Sequence, residues 1–284
     1  MTLKVRNHRL DEKLKQKLNL YEKLNSLLKH ADRFLQLIKR DYPNILNNYL
    51  RKLELNFKDL INPNLLPTSA ITVSLKFEEN SILKHEKESL ITLKNAIYTF
   101  MKFRNYERSF SDVNDITLNF KDFYRGIFLL EYYMAQTLCE TIPRNEALNV
   151  VKEYTRGHYS SSFFSPKTEK SLEEFAQKDI DESYKTHQAL FYCESGKFFF
   201  KVERCLYAEA ITDLADKELI YYLECYGDYF NHTQRNENFV LTRTQTLMKG
   251  DSCCDFCYHD KRYIEEIYHP SKSEWKNMEL KFKL

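Results

Sequence analysis

Five of the seven cysteines lie between Phe198 and His259, and they are the residues of this chain whose type and spacing could do chemistry. A deprotonated cysteine is both a nucleophile and a metal ligand, so a cluster of thiols fits either covalent catalysis or metal binding. Cys205 follows an apolar alternating run, Cys225 lies in a helical pattern, and Cys254 follows a turn. These cysteines meet only if the elements between them fold back on each other, which makes this stretch a candidate site.

Cys225 and Asp228 are three residues apart in a segment with helical periodicity, so the thiol and the carboxylate are predicted to share one face. A nearby carboxylate raises the pKa of a thiol, which favours Asp228 as an acid, a base or a substrate anchor over a role in stabilising a thiolate. The alternative is a buried, inert Cys225, since free cysteine is among the residue types most often buried.

Cys254 follows the turn residues Gly250 and Asp251 and opens a predicted strand. A thiol beside a turn whose backbone amides can face a ligand is more accessible than one inside a helix. The alternative is that Cys254 is a small apolar side chain on the inner face of that strand.

Cys254 and Cys257 also form a C-x-x-C pair with His259 two residues later, which raises a zinc hypothesis with Cys225 or Cys205 as a further ligand. Structural zinc sites usually show two paired ligand sets, and this stretch has one. Residues three apart on a strand point to opposite faces, which also opposes chelation. We therefore expect no metal.

Arg243 lies in an alternating run, residues 241–246, that is typical of a strand. Facing inward, its guanidinium could form two parallel hydrogen bonds with a substrate carboxylate. Facing outward, it would be an ordinary arginine on the solvent side of the sheet.

The composition excludes several classes of protein. The 284 residues include 43 basic and 41 acidic side chains, with no basic stripe of the kind that binds nucleic acid. No apolar run approaches the roughly 20 residues of a membrane span, and the first residues do not resemble a secretory signal. We expect a cytoplasmic protein with free thiols, no membrane partner and no nucleic-acid partner. The chain also lacks a glycine-rich phosphate loop, a G-x-S-x-G elbow and an H-E-x-x-H motif.

The first part of the chain, residues 1–110, is predicted to be a mostly helical extension of unknown role. Apolar residues recur in steps of three and four over residues 10–40, and similar patterns predict helices over residues 44–55 and 85–103. A strand is predicted for residues 71–79, where apolar and polar residues alternate. These helices could pack internally, bind a partner or support a homo-oligomer.

A polar break near residue 110 is predicted to open a second domain, residues 111–284. Two helices are expected after it, over residues 120–139 and from Pro143. After these helices the apolar residues follow the spacing of strands. A hairpin is predicted with its turn at Ser195 and Gly196. Two helices follow it, and a second hairpin ends the domain. This order predicts an α+β fold, in which two hairpins form a sheet covered by helices.

The second domain resembles the L-2-amino-thiazoline-4-carboxylic acid hydrolase family over about residues 120–284. The resemblance rests on the runs KVERCLYAEAI, ELIYYLECYGDYF and FVLTRTQTLMKGDSCCDFCYH, and on ETIPRNEALNVV further upstream. The matching positions are Cys205, Cys225, Asp228, Arg243, Thr246, Gly250, Asp251, Cys254, Asp255 and Phe256. Cys257 does not belong to the pattern.

The resemblance implies a cysteine-dependent hydrolase that opens a C–N bond of a small cyclic amidine-like or thiazoline-like carboxylic acid without a cofactor. Cys225 or Cys254 would be the nucleophile, and Asp228 would move the proton. Arg243 would bind the substrate carboxylate. Asp255, Cys205 and Thr246 would complete the substrate site.

Two other hypotheses remain open at this stage. The module could bind a small molecule, or serve as a scaffold, without turning anything over. It could also be a structural zinc protein that uses Cys254 and Cys257.

Overall fold

The computed structural model describes residues 3–7, 10–66, 77–102, 115–160 and 169–282. The chain divides into two compact units, which we call the helical unit, residues 13–154, and the sheet unit, residues 1–12 and 155–284. The division falls between Tyr154 and Thr155. The boundary predicted near residue 110 lies outside the described residues.

The helical unit is built from amphipathic helices and one small two-stranded sheet. Its elements are β2 (Lys15–Asn19), α1 (Leu20–Asp41), α2 (Leu46–Leu60), α3 (Lys87–Phe100), β3 (Asp115–Asn119), α4 (Phe120–Cys139) and α5 (Arg144–Ser160), whose last residues belong to the sheet unit. Asn19 caps α1, because its side chain accepts a hydrogen bond from the backbone of Glu22. The helix ends just before Pro43, as the sequence predicts.

Two differences from prediction concern the strands of this unit. Of the first ten residues predicted as helix, Lys15–Asn19 form β2, which pairs antiparallel with β3. Both strands lie directly before long helices, so each helix begins where its strand ends. The strand predicted for residues 71–79 falls largely outside the described residues.

The sheet unit is organised around a five-stranded sheet in the order β1-β4-β5-β7-β6, in which every neighbouring pair is antiparallel. Its elements are β1 (Leu3–Asn7), α6 (Leu172–Ser183), β4 (His187–Glu194), β5 (Lys197–Cys205), α7 (Leu206–Ala210), α8 (Lys217–Ile220), α9 (Asp228–Arg235), β6 (Phe239–Thr242), β7 (Cys254–Asp260) and α10 (Lys272–Leu280). The α+β prediction is confirmed. The sheet also takes in β1, from the region predicted to be helical.

The hairpin predicted between β4 and β5 is present. Ser195 and Gly196 both have positive φ, 51° and 74°, as a tight turn between twisted strands requires. A β carbon on Gly196 would approach Tyr263 to 2.9 Å, so the position also needs glycine for space.

A β-bulge interrupts the β4–β5 ladder near its far end. Ala189 pairs with Val202, but Gln188 pairs with Arg204, so Glu203 is the extra residue. The shift places His187 directly opposite Cys205.

The two faces of the sheet differ in composition, and we name them by what they carry. The thiol face holds Cys205, Cys254 and Phe256, and the anchor face holds Asp255 and Cys257. On the thiol face a stack of aromatic rings is packed under α6, and it consists of Phe191, Phe198, Phe200, Phe256 and Tyr258. On the anchor face α10 packs Trp275 and Met278 against Cys257 and its neighbours.

The helical segment predicted around Cys225 and Asp228 is broken into three parts. Helix α8 is one turn long, residues 221–225 form a π-helical turn, and α9 starts at Asp228 after Gly227. π-Turns insert an extra residue and rotate the side chains that follow, and they are frequent at functional sites. Among the described residues, no helix is both long enough and apolar enough to cross a bilayer.

Candidate active site

Arg243 and Asp228 form a buried ion pair on the thiol face. Strand β6 ends at Thr242, so Arg243 leaves the ladder and turns inward, where its side chain is only 2% exposed. The distance between its Nη1 and Oδ2 of Asp228 is 2.7 Å. The inward orientation is therefore the one that the fold adopts.

The guanidinium of Arg243 is enclosed by aromatic rings and by one backbone carbonyl. Its central carbon lies 5.5, 5.1 and 4.8 Å from the ring centroids of Tyr221, Tyr229 and Phe256. Nη2 donates to the carbonyl oxygen of Cys225 at 2.9 Å. The π-turn residues Tyr221 and Cys225 thus hold the arginine in place.

Asp255 fixes the loop that carries Arg243. Its carboxylate accepts hydrogen bonds from the backbone N–H groups of Thr244 and Gln245, at 2.8 and 2.7 Å, and from the Thr244 hydroxyl. His269 Nε2 lies 3.0 Å from the other side of the carboxylate. Burial alone would raise the pKa of Asp255, but these partners hold it below the usual value.

Asp255 was predicted to bind substrate together with Cys254, and the structure places the two on opposite faces of β7. Its carboxylate is already occupied by the loop and by His269. Asp255 therefore positions Arg243 indirectly, by holding the backbone of the two residues that follow it.

Cys254 lies on the thiol face of the sheet, where its sulfur accepts a hydrogen bond. The backbone N–H of Leu247 donates to Sγ at 3.3 Å, and the Thr246 hydroxyl lies 3.5 Å from it. Thr246 is itself buried and caps the short turn 247–249, which ends at Gly250 with φ 94°. Thr246, predicted to bind substrate, therefore contacts Cys254.

Cys205 contacts a histidine that the sequence analysis did not single out. Its Sγ lies 3.3 Å from Nε2 of His187, the residue opposite it across the bulged ladder. The other ring nitrogen of His187, Nδ1, lies 2.9 Å from the Thr186 hydroxyl. An imidazole in contact with a thiol is the arrangement that activates cysteine nucleophiles.

The three thiols, Asp228 and Arg243 are near enough to influence one another's charge. Burial raises the pKa of Cys205 to about 12, with smaller contributions from Cys254 and Asp228. Burial also raises the pKa of Cys225 well above its usual value, and the charge of Asp228 adds to this effect while Arg243 opposes it. The thiols are therefore neutral at pH 7.

The pKa values of Asp228 and Arg243 are both raised, for different reasons. Burial raises the pKa of the Asp228 carboxyl although Arg243 opposes it. For Arg243, burial lowers the pKa, but the charge of Asp228 and its other partners outweigh this effect and leave the pKa raised. The arginine is a permanent cation, and the carboxyl is a weaker acid than usual.

Several of these side chains keep some exposed surface although burial is the largest influence on their pKa. The Asp228 side chain is 30% exposed, and Cys225 and His187 are half-buried. Burial nevertheless lowers the pKa of His187 to about 4. We call this cluster of partly accessible and strongly desolvated side chains the thiol recess.

A cavity of about 470 Å³ lies on the anchor face beside α10. Its walls include Asp255, Lys201 and Cys253. Lys201 is paired with Glu279 at 2.5 Å, and Asp255 holds the loop. We place the candidate active site in the thiol recess, because there the thiols have a histidine, a carboxyl and an arginine beside them.

The zinc hypothesis is not supported by the arrangement of its residues. Cys254 belongs to the core of the thiol face and Cys257 to that of the anchor face, as expected for positions three apart on a strand. His259 contacts the Thr242 hydroxyl at 2.9 Å. Throughout the described ranges, no group of three or more histidine, cysteine or acidic side chains is arranged to hold a metal ion.

The predicted site residues thus fall into two groups. Cys205, Cys225, Cys254, Asp228 and Arg243 meet around the thiol recess, with Thr246 behind Cys254. His187 is the residue that sequence reasoning missed. Its signal is weak, because a lone histidine at the start of a strand acquires meaning only from the register that sets Cys205 opposite it.

Comparison with known proteins agrees with the motifs found in the second domain. No curated protein and no solved structure matches the chain. One family model matches, and the matched segment runs from α4 to β7, which includes all the residues of the thiol recess. Residues 122–258 carry the sequence pattern of the L-2-amino-thiazoline-4-carboxylic acid hydrolase family.

Proposed function

We propose that this protein hydrolyses a C–N bond in a small cyclic amidine-like or thiazoline-like carboxylic acid by a cysteine-dependent mechanism. The observation that carries the proposal is the thiol recess itself. A buried arginine, a carboxyl of raised pKa and three thiols lie together on one face of the sheet.

Arg243 is suited to bind the substrate carboxylate. Its contacts with Asp228, Tyr221 and Cys225 involve Nη1 and Nη2. None of these three contacts uses Nε–H. A carboxylate that approaches this edge would gain a charge-assisted hydrogen bond in a region shielded from water.

Asp228 is suited to move a proton during ring opening. Burial raises the pKa of this carboxyl toward neutral pH, and an acid–base catalyst works best when its pKa is near the working pH. A ring nitrogen that leaves as an amine needs a proton, and Asp228 lies next to the arginine that would orient the substrate.

A thiol of the recess would attack the ring carbon between the two heteroatoms. Addition gives a tetrahedral adduct, loss of the ring nitrogen opens the ring, and water then releases the product from the cysteine. The aromatic stack beneath the recess excludes water from the reacting carbon until that step.

The test is an assay of the purified protein with the acid in the family's name, following appearance of the primary amine. We expect ring opening by the wild type. Arg243→Lys keeps the charge but loses the planar fork, so it should raise KM about tenfold or more with a smaller change in kcat. Arg40→Lys, on the surface of the helical unit, is the matched control and should leave both constants unchanged.

A binding protein without turnover predicts a different result. It would bind the acid, with an affinity weakened by Arg243→Lys, and release no amine. That outcome would contradict the hydrolase proposal.

A further inference from the structure

We propose that Cys205 is the nucleophile of this site and that His187 is its general base. This inference rests on the proposed function and assigns its central step to two residues. It also replaces the sequence-based expectation that the nucleophile is Cys225 or Cys254.

The contact between the two side chains is created by the β-bulge. On β5 the residues that face the thiol side are Phe198, Phe200 and Val202, all at even positions. In a regular strand the odd-numbered Cys205 would face the other way. The extra residue Glu203 reverses the alternation and turns Cys205 toward His187.

The hydrogen bonds around His187 favour the tautomer that carries its proton on Nδ1. The Thr186 hydroxyl donates to the carbonyl oxygen of Ser183, so its oxygen is the acceptor for Nδ1–H of the imidazole. The imidazole is also influenced by the Ser183 carbonyl, which favours a proton on the ring. Nε2 is then left with its lone pair pointing at Sγ of Cys205, 3.3 Å away.

Burial makes the pair neutral at rest. The pKa of His187 is lowered to about 4 and that of Cys205 is raised to about 12, so neither carries a charge at pH 7. The thiol can donate its proton to Nε2 as the sulfur attacks. The backbone N–H groups of Tyr207 and Ala208 lower the pKa of Cys205 in part, although neither forms a full hydrogen bond to the sulfur.

The other two thiols of the recess lack such a partner. Cys225 lies beside Asp228, whose negative charge opposes formation of a thiolate. Cys254 accepts from the N–H of Leu247 and contacts the Thr246 hydroxyl, and neither group takes a proton near pH 7. Among the contacts of the described residues, Cys205 is the one of the three whose sulfur lies against an imidazole.

The proton balance of the reaction follows from this arrangement. As Sγ of Cys205 bonds to the ring carbon, its proton moves to His187 Nε2 and the C=N electron pair moves to the ring nitrogen. His187 returns that proton to the ring nitrogen. As the ring C–N bond breaks, the lone pair of the neighbouring heteroatom forms a double bond to the ring carbon, and the Asp228 carboxyl gives the leaving nitrogen its second proton. Water then bonds through its oxygen to the same carbon, and His187 takes one proton of that water and gives it to the departing sulfur of Cys205. The second proton of the water returns to Asp228 as the carbonyl forms. The sum is addition of one water molecule, with no oxidant or metal.

Kinetics of point variants provide the first test. Cys205→Ser should lower kcat by at least about 1,000-fold, and His187→Asn by about 100- to 10,000-fold. Cys139→Ser and His85→Asn, both in the helical unit, are the matched controls and should retain wild-type turnover. Circular dichroism would show that each variant is folded, and Cys205→Ala provides a second variant if the serine is not tolerated. Wild-type turnover by folded Cys205→Ser would overturn the inference and leave the proposed function standing.

Thiol reactivity provides a second test that does not depend on turnover. Iodoacetamide labelling followed by peptide mass spectrometry measures the rate at each thiol separately. His187→Asn should lower the rate at Cys205 about tenfold and leave the rates at Cys225 and Cys254 unchanged, because only Cys205 loses a proton acceptor. An unchanged rate at Cys205 in the folded variant would refute the pair even if the wild type opens the ring. If the acid is not turned over at all, the proposed function fails, and the labelling result still decides whether Cys205 and His187 form a reactive pair.

Discussion

The two faces of strand β7 carry alternate residues of one short segment and have different roles. Cys254 and Phe256 point into the thiol recess, where the arginine, the carboxyl and the other thiols lie. Asp255 and Cys257 point to the anchor face, where the side chains hold the loop and the last helix. One strand thus supplies the floor of a site and the support for that site.

The comparison shows where polar groups are left available for chemistry. On the anchor face the Asp255 carboxylate is occupied by two backbone N–H groups, a hydroxyl and His269. On the thiol face Asp228 has one charged partner and keeps 30% of its surface exposed. A carboxyl with spare acceptor capacity beside a permanent cation can bind a substrate or move a proton, whereas a saturated one holds structure.

The largest expected effect comes from breaking the ion pair on the thiol face. Arg243→Met leaves Asp228 without its cation in a desolvated position, so we expect a loss of about 3 to 5 kcal/mol in the free energy of unfolding. Urea denaturation would measure it. Arg40→Met removes a surface arginine, 53% exposed, and should cost less than about 1 kcal/mol. Equal effects of the two variants would show that the pair at Asp228 is not buried as described.

The next largest expected effect is a loss of stability at acid pH. One buried histidine on each face of the sheet contributes to it. Burial lowers the pKa of His187 and of His259 from 6.5 to about 4. Between these values the unfolded chain binds more protons than the folded one, so stability falls as pH decreases from about 6.5 toward 4. The limit is about 3 kcal/mol for each imidazole, at 1.36 kcal/mol per pKa unit.

Denaturation curves at pH 7, 5.5 and 4.5 would test this dependence. His187→Asn and His259→Asn should each flatten it by a similar amount, since the two imidazoles lie on opposite faces of the sheet. A wild-type stability that is unchanged between pH 7 and 4.5 would contradict the neutral, buried state of both rings.

A smaller effect is expected from loosening the anchor face. Asp255→Asn keeps Oδ1 for the N–H groups of Thr244 and Gln245 but replaces Oδ2 by a donor that faces the Thr244 hydroxyl and His269. We expect a loss of about 1 to 3 kcal/mol in the free energy of unfolding, because these two groups would lose their acceptor and the loop would lose a charged partner. Turnover should fall as well, since the loop carries Arg243. Asp122→Asn, at a surface pair in the helical unit, is the control and should change neither quantity.

The smallest expected effect distinguishes the two faces by their thiols. Cys257→Ala should leave turnover of the acid unchanged and cost about 1 kcal/mol of stability, because its sulfur only packs against the anchor-face core. Cys254→Ala should lower turnover severalfold at a similar cost in stability, since its sulfur lies in the recess. Activity assays of both variants at matched folded concentration make the comparison. A loss of turnover in Cys257→Ala alone would reverse the assignment of the faces.

Helices and hairpins of this protein could be predicted where one local pattern dominates. The apolar stripe of α4 predicts residues 120–139, and the structure gives Phe120–Cys139. The turn at Ser195 and Gly196 predicts the β4–β5 hairpin, which is present. The π-turn at 221–225 and the early end of β6 at Thr242 could not be predicted, because both depend on how Arg243 packs against Tyr221 and Cys225.

Some predictions stay predictions. Partner binding or a homo-oligomer through the N-terminal helices, and a cytoplasmic location, rest on the sequence alone. The proposed substrate class rests on the family pattern together with the charge and burial of the recess.

The sequence by itself determined that the second domain has an α+β fold, that its thiols are concentrated there, and that Cys225 and Asp228 lie close together. These properties are set by hydrophobic period and by local spacing. Only the tertiary structure decided which thiol has a base. A strand alternates its side chains between two faces, so one inserted residue, Glu203, reverses the orientation of Cys205, and its partner His187 lies 18 residues away in sequence.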